Sequence, residues 1–237
     1  MYIINVKKPP LDNPKVRQAL MMGIDRKTLV GKYLQGVKTS TGAIVPPGIP
    51  GYTAPEGLPF DPKEAKKLLA EAGFSDTSRF PNFSLKYNTD AQHQLVAQVL
   101  QQMWKEHLGI NVSLINEEWK TYSKSRDLGD YDLCRLAWSG DYLDPNTFLE
   151  LFLSHSPYNS TGWGSPAYDR LMGQASVESN SARRFSILRQ AETILLSEAP
   201  VFPLFVETKF YLVRPYVKGV FPNLQDIHPL KDVYIEN

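Results

Sequence analysis

The chain has a single cysteine, Cys134, in 237 residues. One thiol cannot close an intrachain disulfide, and it excludes a cysteine-rich zinc module. Charge of one sign is missing as well. The 26 Lys+Arg stand against 25 Asp+Glu, a formal net charge of +1. No long-range field is therefore available to gather nucleic acid, an anionic membrane or a polyanionic substrate. No stretch reaches the ~20 predominantly apolar residues of a spanning helix. The long uncharged run from Leu151 to Tyr168 is interrupted by Ser, His, Pro, Asn and Gly. A signal peptide is not visible either: apolar Tyr2-Ile3-Ile4 precedes Lys7 and Lys8, the reverse of a leader's order. Catalytic signatures are equally scarce, with no GxSxG, GxxxxGK[ST], GxGxxG or HExxH. The four histidines, His93, His107, His155 and His228, are too scattered for a short metal spacing. Neither a metal nor a cofactor is expected, and the chain does not read as an enzyme.

What is present is an ordinary globular composition, 42% hydrophobic, with length for one large or two small domains. Nine of the 18 prolines fall in the first 62 residues. The stretch Val45-Pro46-Pro47-Gly48-Ile49-Pro50-Gly51-Tyr52 cannot be a helix interior or a central strand. Its apolar members set it apart from a flexible linker, so it reads as an ordered extended segment.

Helices with clear ends surround it. Asn13-Pro14 opens one that carries Val16, Ala19, Leu20 and Ile24. Asp25 caps another, with Leu29, Val30, Tyr33 and Leu34 behind it and Gly36 as its stop. Asp61-Pro62 with Glu64 starts a third, ended by Gly73. The middle reads as strand–helix–strand. Phe83, Leu85 and Tyr87 alternate, Asp90 to Leu108 keeps helical spacing, and Ile110, Val112 and Leu114 alternate again. Two strands so joined should be parallel. A short helix around Trp119, Tyr122 and Arg126 follows, then a strand from Tyr131 to Trp138. Asp144-Pro145 starts a short helix with Phe148, Leu149 and Phe152. Ser165-Pro166 starts another, and Ser181 to Ser197 forms a longer one. Val201–Val206 and Phe210–Val213 look strand-like. The sum is a mixed α/β fold with a largely parallel sheet.

Local acidic pairs, Asp130/Asp132 and Asp141/Asp144, are of the kind that serve as caps and turns. The segment from Asp132 to Pro145 is different. An apolar strand ends in Trp138-Ser139-Gly140-Asp141, and ligands of open α/β sheets sit beyond the carboxyl ends of strands. Asp144 is explained as the cap before Pro145. Asp141 has two readings, an Asx turn or a ligand contact, and Trp138 is either core or ligand-facing.

Several strings, in collinear order, make the whole chain similar to the C-terminal lobe of the bacterial oligopeptide-binding proteins, receptors of ABC peptide importers. They are Asn13-Pro14-Lys15-Val16-Arg17-Gln18-Ala19-Leu20 with Ile24-Asp25-Arg26, then Glu64 to Gly73, Tyr87-Asn88-Thr89 and Gly109-Ile110-Asn111-Val112. Glu118-Trp119-Lys120-Thr121, Trp138…Asp141-Tyr142 and Ser165-Pro166-Ala167-Tyr168-Asp169 complete the series. The resemblance implies a type II periplasmic-binding-protein-like lobe, with a mostly parallel mixed sheet flanked by helices. Residues 1–209 would form the C-terminal peptide-binding lobe. Residues 210–237 would return to pack on an N-terminal lobe of the full-length protein.

The resemblance also implies roles. Asp141 would take the peptide's α-ammonium, and Ala137, Trp138 and Ser139 would pair with its backbone. Arg135, His93 and Arg126 would lie where peptide carboxylates end, and Asn88 would be a polar pocket position. Glu207 departs from a commonly tyrosine-rich strand, and would either favour basic side chains or face solvent. The partners implied are short peptides and membrane ABC permease subunits, not nucleic acid. A monomer outside the cytoplasm is expected, in the periplasm or as a cell-surface lipoprotein. Relatives on the same fold leave dipeptides, murein peptides or another small ligand open, and a peptide hydrolase is the remaining alternative.

Overall fold

In the computed structural model, which describes residues 1–221, 223 and 226–236, the chain opens in strand β1 (Tyr2–Ile4). Helix α1 (Pro14–Met22) follows, then α2 (Arg26–Thr28), which runs into a π-helical turn, Leu29–Tyr33. Next come β2 (Thr39–Ser40), α3 (Pro62–Glu71), β3 (Phe83–Asn88), α4 (Ala91–Leu108) and β4 (Val112–Glu117). Helix α5 (Trp119–Asp127), β5 (Leu133–Arg135), α6 (Asn146–Leu149), α7 (Pro166–Val177) and α8 (Ser181–Glu198) complete the body with β6 (Val201–Phe202) and β7 (Phe205–Val206). A small hairpin of β8 (Val217–Lys218) and β9 (Tyr234–Ile235) lies near the end.

The helix starts follow the capping chemistry. Asn13 Oδ1 accepts from Lys15 N, Asp61 Oδ1 from Lys63 N and Glu64 N, and Asp90 Oδ1 from Gln92 N and His93 N. The Glu64 carboxylate goes forward to Lys67 at 3.2 Å. Gly109 ends α4 at φ 74°, a conformation that costs glycine nothing.

Five strands form one sheet in the order β4-β3-β5-β1-β6. The β4-β3-β5 half is parallel, with Phe83 opposite Val112 and Leu85 opposite Leu133. The other half is antiparallel, because β1 pairs that way with both β5 and β6. The sheet is buried between two apolar layers. Tyr2, Ile4, Leu85, Tyr87 and Leu133 face helices α1, α3 and α4, while Ile3, Cys134 and Val201 face α5, α7 and α8. Successive residues of β1 thus serve opposite faces, as the pleat requires, and all three are buried.

Two strands differ from the sequence reading. The strand beginning near Tyr131 ends at Arg135 rather than Trp138, because both neighbours run out there: β3 pairs with β5 only at Leu133 and Cys134, and β1 begins at Tyr2, opposite Arg135. Phe210–Val213 forms no strand. Its side chains are exposed and no neighbouring strand lies alongside. Residues 222, 224, 225 and 237 of the expected return segment lie outside the described residues. No helix among the described residues is long and apolar enough to cross a membrane.

The proline-rich segment is ordered by one buried carboxylate. Glu192 on α8 is fully buried and accepts from Ile44 N at 2.8 Å, Val45 N at 2.9 Å and the Tyr52 hydroxyl at 2.6 Å. Burial pushes its pKa up, against these hydrogen bonds.

Candidate functional site

A cavity of about 310 Å³ opens at the carboxyl ends of the parallel strands β3 and β5. Four segments wall it. The start of β1 gives Tyr2, the end of β5 and the chain after it give Arg135 to Gly140, the proline-rich segment gives Ala43, Ile44 and Pro46, and α4 gives His93 and Val96. Residues Pro203 to Glu207 and part of the tail, including Lys209 and Asp226, close the rest.

One end of this wall is polar. Arg135 Nη1 donates to Asn88 Oδ1 at 3.4 Å, and His93 Nδ1 lies 3.3 Å from the Asn88 carbonyl oxygen. Burial, and next the charge of Arg135, hold His93 below the ordinary imidazole range, so it is neutral at neutral pH. Asn88 organises both side chains although it does not itself line the cavity.

Beyond Arg135 the chain leaves the sheet with its backbone along the cavity. Ala137 and Ser139 are exposed, and Trp138 is half-buried with its ring 5.4 Å from that of Tyr158. Gly140 is required here: a Cβ would come 2.9 Å from Phe148 Cζ and 3.0 Å from Thr147 Cγ2. The next residue, Asp141, has an exposed side chain just outside the lining, and its N–H donates to the buried Thr147 Oγ1 at 3.0 Å. The far end of the loop is fixed by Asp144. Its carboxylate receives both Arg184 nitrogens, at 2.6 and 2.9 Å, and its Oδ1 accepts from Asn146 N. The segment carrying Asp141 is thus held from two sides by α6 and α8. Two donors on lining residues, the Tyr2 hydroxyl and Trp138 Nε1, are buried without a hydrogen-bond partner among the described residues.

Of the residues singled out in the sequence, the structure brings Arg135, His93, Ala137, Trp138, Ser139 and Glu207 to one cavity, with Asn88 and Asp141 at its border. Arg126 lies elsewhere. It sits on α5, bonded to Asp127 and to Ser123 Oγ, outside the lining. Cys134 faces away from the cavity layer, among Tyr122, Tyr131 and the helices behind the sheet, and burial pushes its thiol up to about 11. Three contributors escaped the sequence reading: Tyr2, Lys38 and Glu192. Tyr2 is in a strand too short to alternate. Lys38 reaches the site by pairing with Glu207 across β2 and β7. Glu192 did leave a signal: it occupies the apolar stripe set by Phe185, Leu188 and Leu195, where a carboxylate needs buried partners.

Over residues 1–160 the sequence matches the bacterial extracellular solute-binding proteins, family 5, middle region. It is 37% identical over 227 residues to the oligopeptide-binding protein OppA of Bacillus subtilis, covering 92% of this chain and 42% of that protein. It is 37% identical over 243 residues to the periplasmic murein peptide-binding protein MppA of Escherichia coli, covering 99% of this chain and 45% of that protein. The crystal structure of the periplasmic oligopeptide-binding protein OppAIV from Borrelia burgdorferi superposes with a TM-score of 0.89 at 38% identity, over 99% of this chain and 47% of that one. The chain spans less than half the length of the curated relatives it matches.

Proposed function

This chain belongs to the family 5 bacterial extracellular solute-binding proteins and has the type II periplasmic binding-protein fold, and we propose that it forms the peptide-binding half of a receptor for ABC-transporter-mediated peptide uptake. The relatives are binding proteins rather than enzymes by name, and the proposed protein likewise binds its ligand without turning it over. It works outside the cytoplasm, in the periplasm or as a lipid-anchored surface protein, as a monomer that delivers peptide to membrane permease subunits. A second lobe, to which residues 210–237 return, closes over the cavity.

One observation carries the reading: beyond Leu136, whose N–H is taken by the Met1 carbonyl, the backbone of Ala137–Gly140 runs along the cavity with no strand paired to it among the described residues, immediately before Asp141. An extended peptide laid there adds a strand, and backbone hydrogen bonds hold it whatever its sequence. Asp141 takes the α-ammonium, which offers only donors. Arg135 and His93 face the carboxylate end, and Asn88 orients both.

Calorimetry with the natural full-length protein tests this. Tri-alanine should bind and N-acetyl-tri-alanine should not. Asp141→Ala should cost about 3–5 kcal/mol, the scale of breaking an enclosed ion pair. Equal affinity for the acetylated peptide refutes the role of Asp141, and release of shorter products by mass spectrometry refutes the binding-only reading. The matching identity to a murein peptide-binding protein makes a murein tripeptide the second ligand to titrate.

A further inference from the structure

The sequence left Glu207 either selecting basic side chains or facing solvent. The structure points to neither. We propose that Lys38 and Glu207 form a charge-cancelling pair in the cavity wall, which keeps the peptide site from discriminating between ionic and neutral side chains and makes Lys38 a specificity-determining residue. This rests on the peptide-binding reading above and deepens it.

The pair is built by register. Thr39 lies opposite Val206 and Ser40 opposite Phe205 in the β2/β7 ribbon, so the next positions outward, Lys38 and Glu207, are cross-strand neighbours. Their side chains form an ion pair. The two ends of that pair see different surroundings. Glu207 lines the cavity with its side chain 46% exposed, whereas Lys38 does not line it and is only 8% exposed. The acid therefore presents itself to the ligand while its countercharge comes from behind. A second pair lies on the tail, where Asp226 lines the cavity and is paired with Lys209, which here lines the cavity too rather than standing behind it. Both carboxylates among the lining residues thus carry a lysine.

The consequence is competitive. A ligand ammonium that approaches Glu207 must displace a lysine already ordered beside it, and so gains little beyond a neutral side chain of the same length. A ligand carboxylate meets a carboxylate already neutralised, and so loses little. Tolerance of side-chain charge then comes from a fixed internal salt bridge rather than from an absence of charge. Removing one partner must create a preference, and its sign depends on which partner is removed.

The test uses the natural full-length protein and tri-alanine peptides carrying lysine, norleucine or glutamate at one position at a time, titrated by calorimetry. For the unsubstituted protein the three residues should bind within about threefold at each position. Lys38→Met should favour lysine over norleucine by roughly fivefold or more at one position. Glu207→Gln should favour glutamate at that same position. The double variant Lys38→Met/Glu207→Gln should show neither preference. If tri-alanine binds all four proteins and the single variants rank the side chains as the unsubstituted protein does, the pair sets nothing and the proposal is overturned. If no peptide binds the unsubstituted protein, the peptide-binding reading itself fails, an outcome distinct from the first.

Discussion

Glu192 offers the sharpest test of how the cavity wall is held. Replacing it by alanine removes a fully buried carboxylate and strands the amides of Ile44 and Val45 and the Tyr52 hydroxyl. Hydrogen bonds to a charged group contribute about 1.5–3 kcal/mol each, and buried donors left without an acceptor add desolvation cost. Partial relaxation of the proline-rich segment towards solvent recovers some of this. The expected loss is about 3–5 kcal/mol, or a fall in Tm of roughly 6–20 °C for a chain of this size. Glu192→Gln should cost far less. Its amide oxygen still serves both backbone amides, and its NH2 can donate to the Tyr52 oxygen.

The pH dependence gives a second, independent sign. The folded carboxyl is raised above its unfolded value. The folded state therefore holds the proton more tightly, and this group's contribution is complete below the unfolded pKa and lost as pH rises through the folded one. The glutamine variant does not ionise, so its stability relative to the unsubstituted protein should improve as pH climbs through that window. Circular dichroism melts across acidic and neutral pH read both effects, and hydrogen exchange at Ile44 and Val45 reads the local one. The reasoning is refuted if Glu192→Ala melts within about a degree of the parent, or if the glutamine and alanine variants are equally destabilised.

Other consequences can be checked separately. Arg184→Met should weaken binding of free-amine peptides by unseating Asp144 and with it the Asp141 loop, while a double-mutant cycle with Asp141→Ala should be non-additive; additive effects would separate the two residues. His93 has a lowered pKa, so the unfolded state takes up the proton first as pH falls below about 6.5, and stability declines with it. His93→Gln should flatten that decline in urea midpoints measured from neutral to mildly acidic pH. Cys134, fully buried and pushed up to about 11, should resist iodoacetamide near neutral pH until denaturant is added, and prompt labelling of the native protein would contradict its placement.

Local chemistry made most helices legible. Asn13, Asp61 and Asp90 cap where their side chains find free amides, and proline sits at the first turn of α1 and α3. The β3–α4–β4 unit was equally readable, since one face of each strand is apolar and the crossover helix is long. Strand β1 was not. Residues of β1 are buried on both faces, so no alternation marks them. The opposite error occurred after Arg135, where Leu136 and Trp138 are apolar because they line a cavity, not because a strand continues. The Lys38–Glu207 pair depends on a register between segments far apart in the chain, information that no local window contains. Asp141 was legible as an acid beyond a strand end, while the clamps that hold its loop, Thr147 and Arg184, were not.

The position of β1 has a consequence for how the molecule assembles. This strand, flanked on both sides, pairs on one with residues 133–135 and on the other with Val201 and Phe202. Tyr2, one of its residues, is also part of the cavity floor. Because such distant partners must meet, loop closure precedes the reward of pairing, and the fold gains its sheet slowly compared with one built from neighbours. During synthesis the earliest of these residues wait, apolar and uncovered, for strands made much later, which is the interval in which a chaperone would be useful. The cavity cannot exist before that last pairing. On the proposed peptide-binding reading, binding would therefore report on complete folding, and a peptide added during refolding should trap only molecules in which the sheet has already closed.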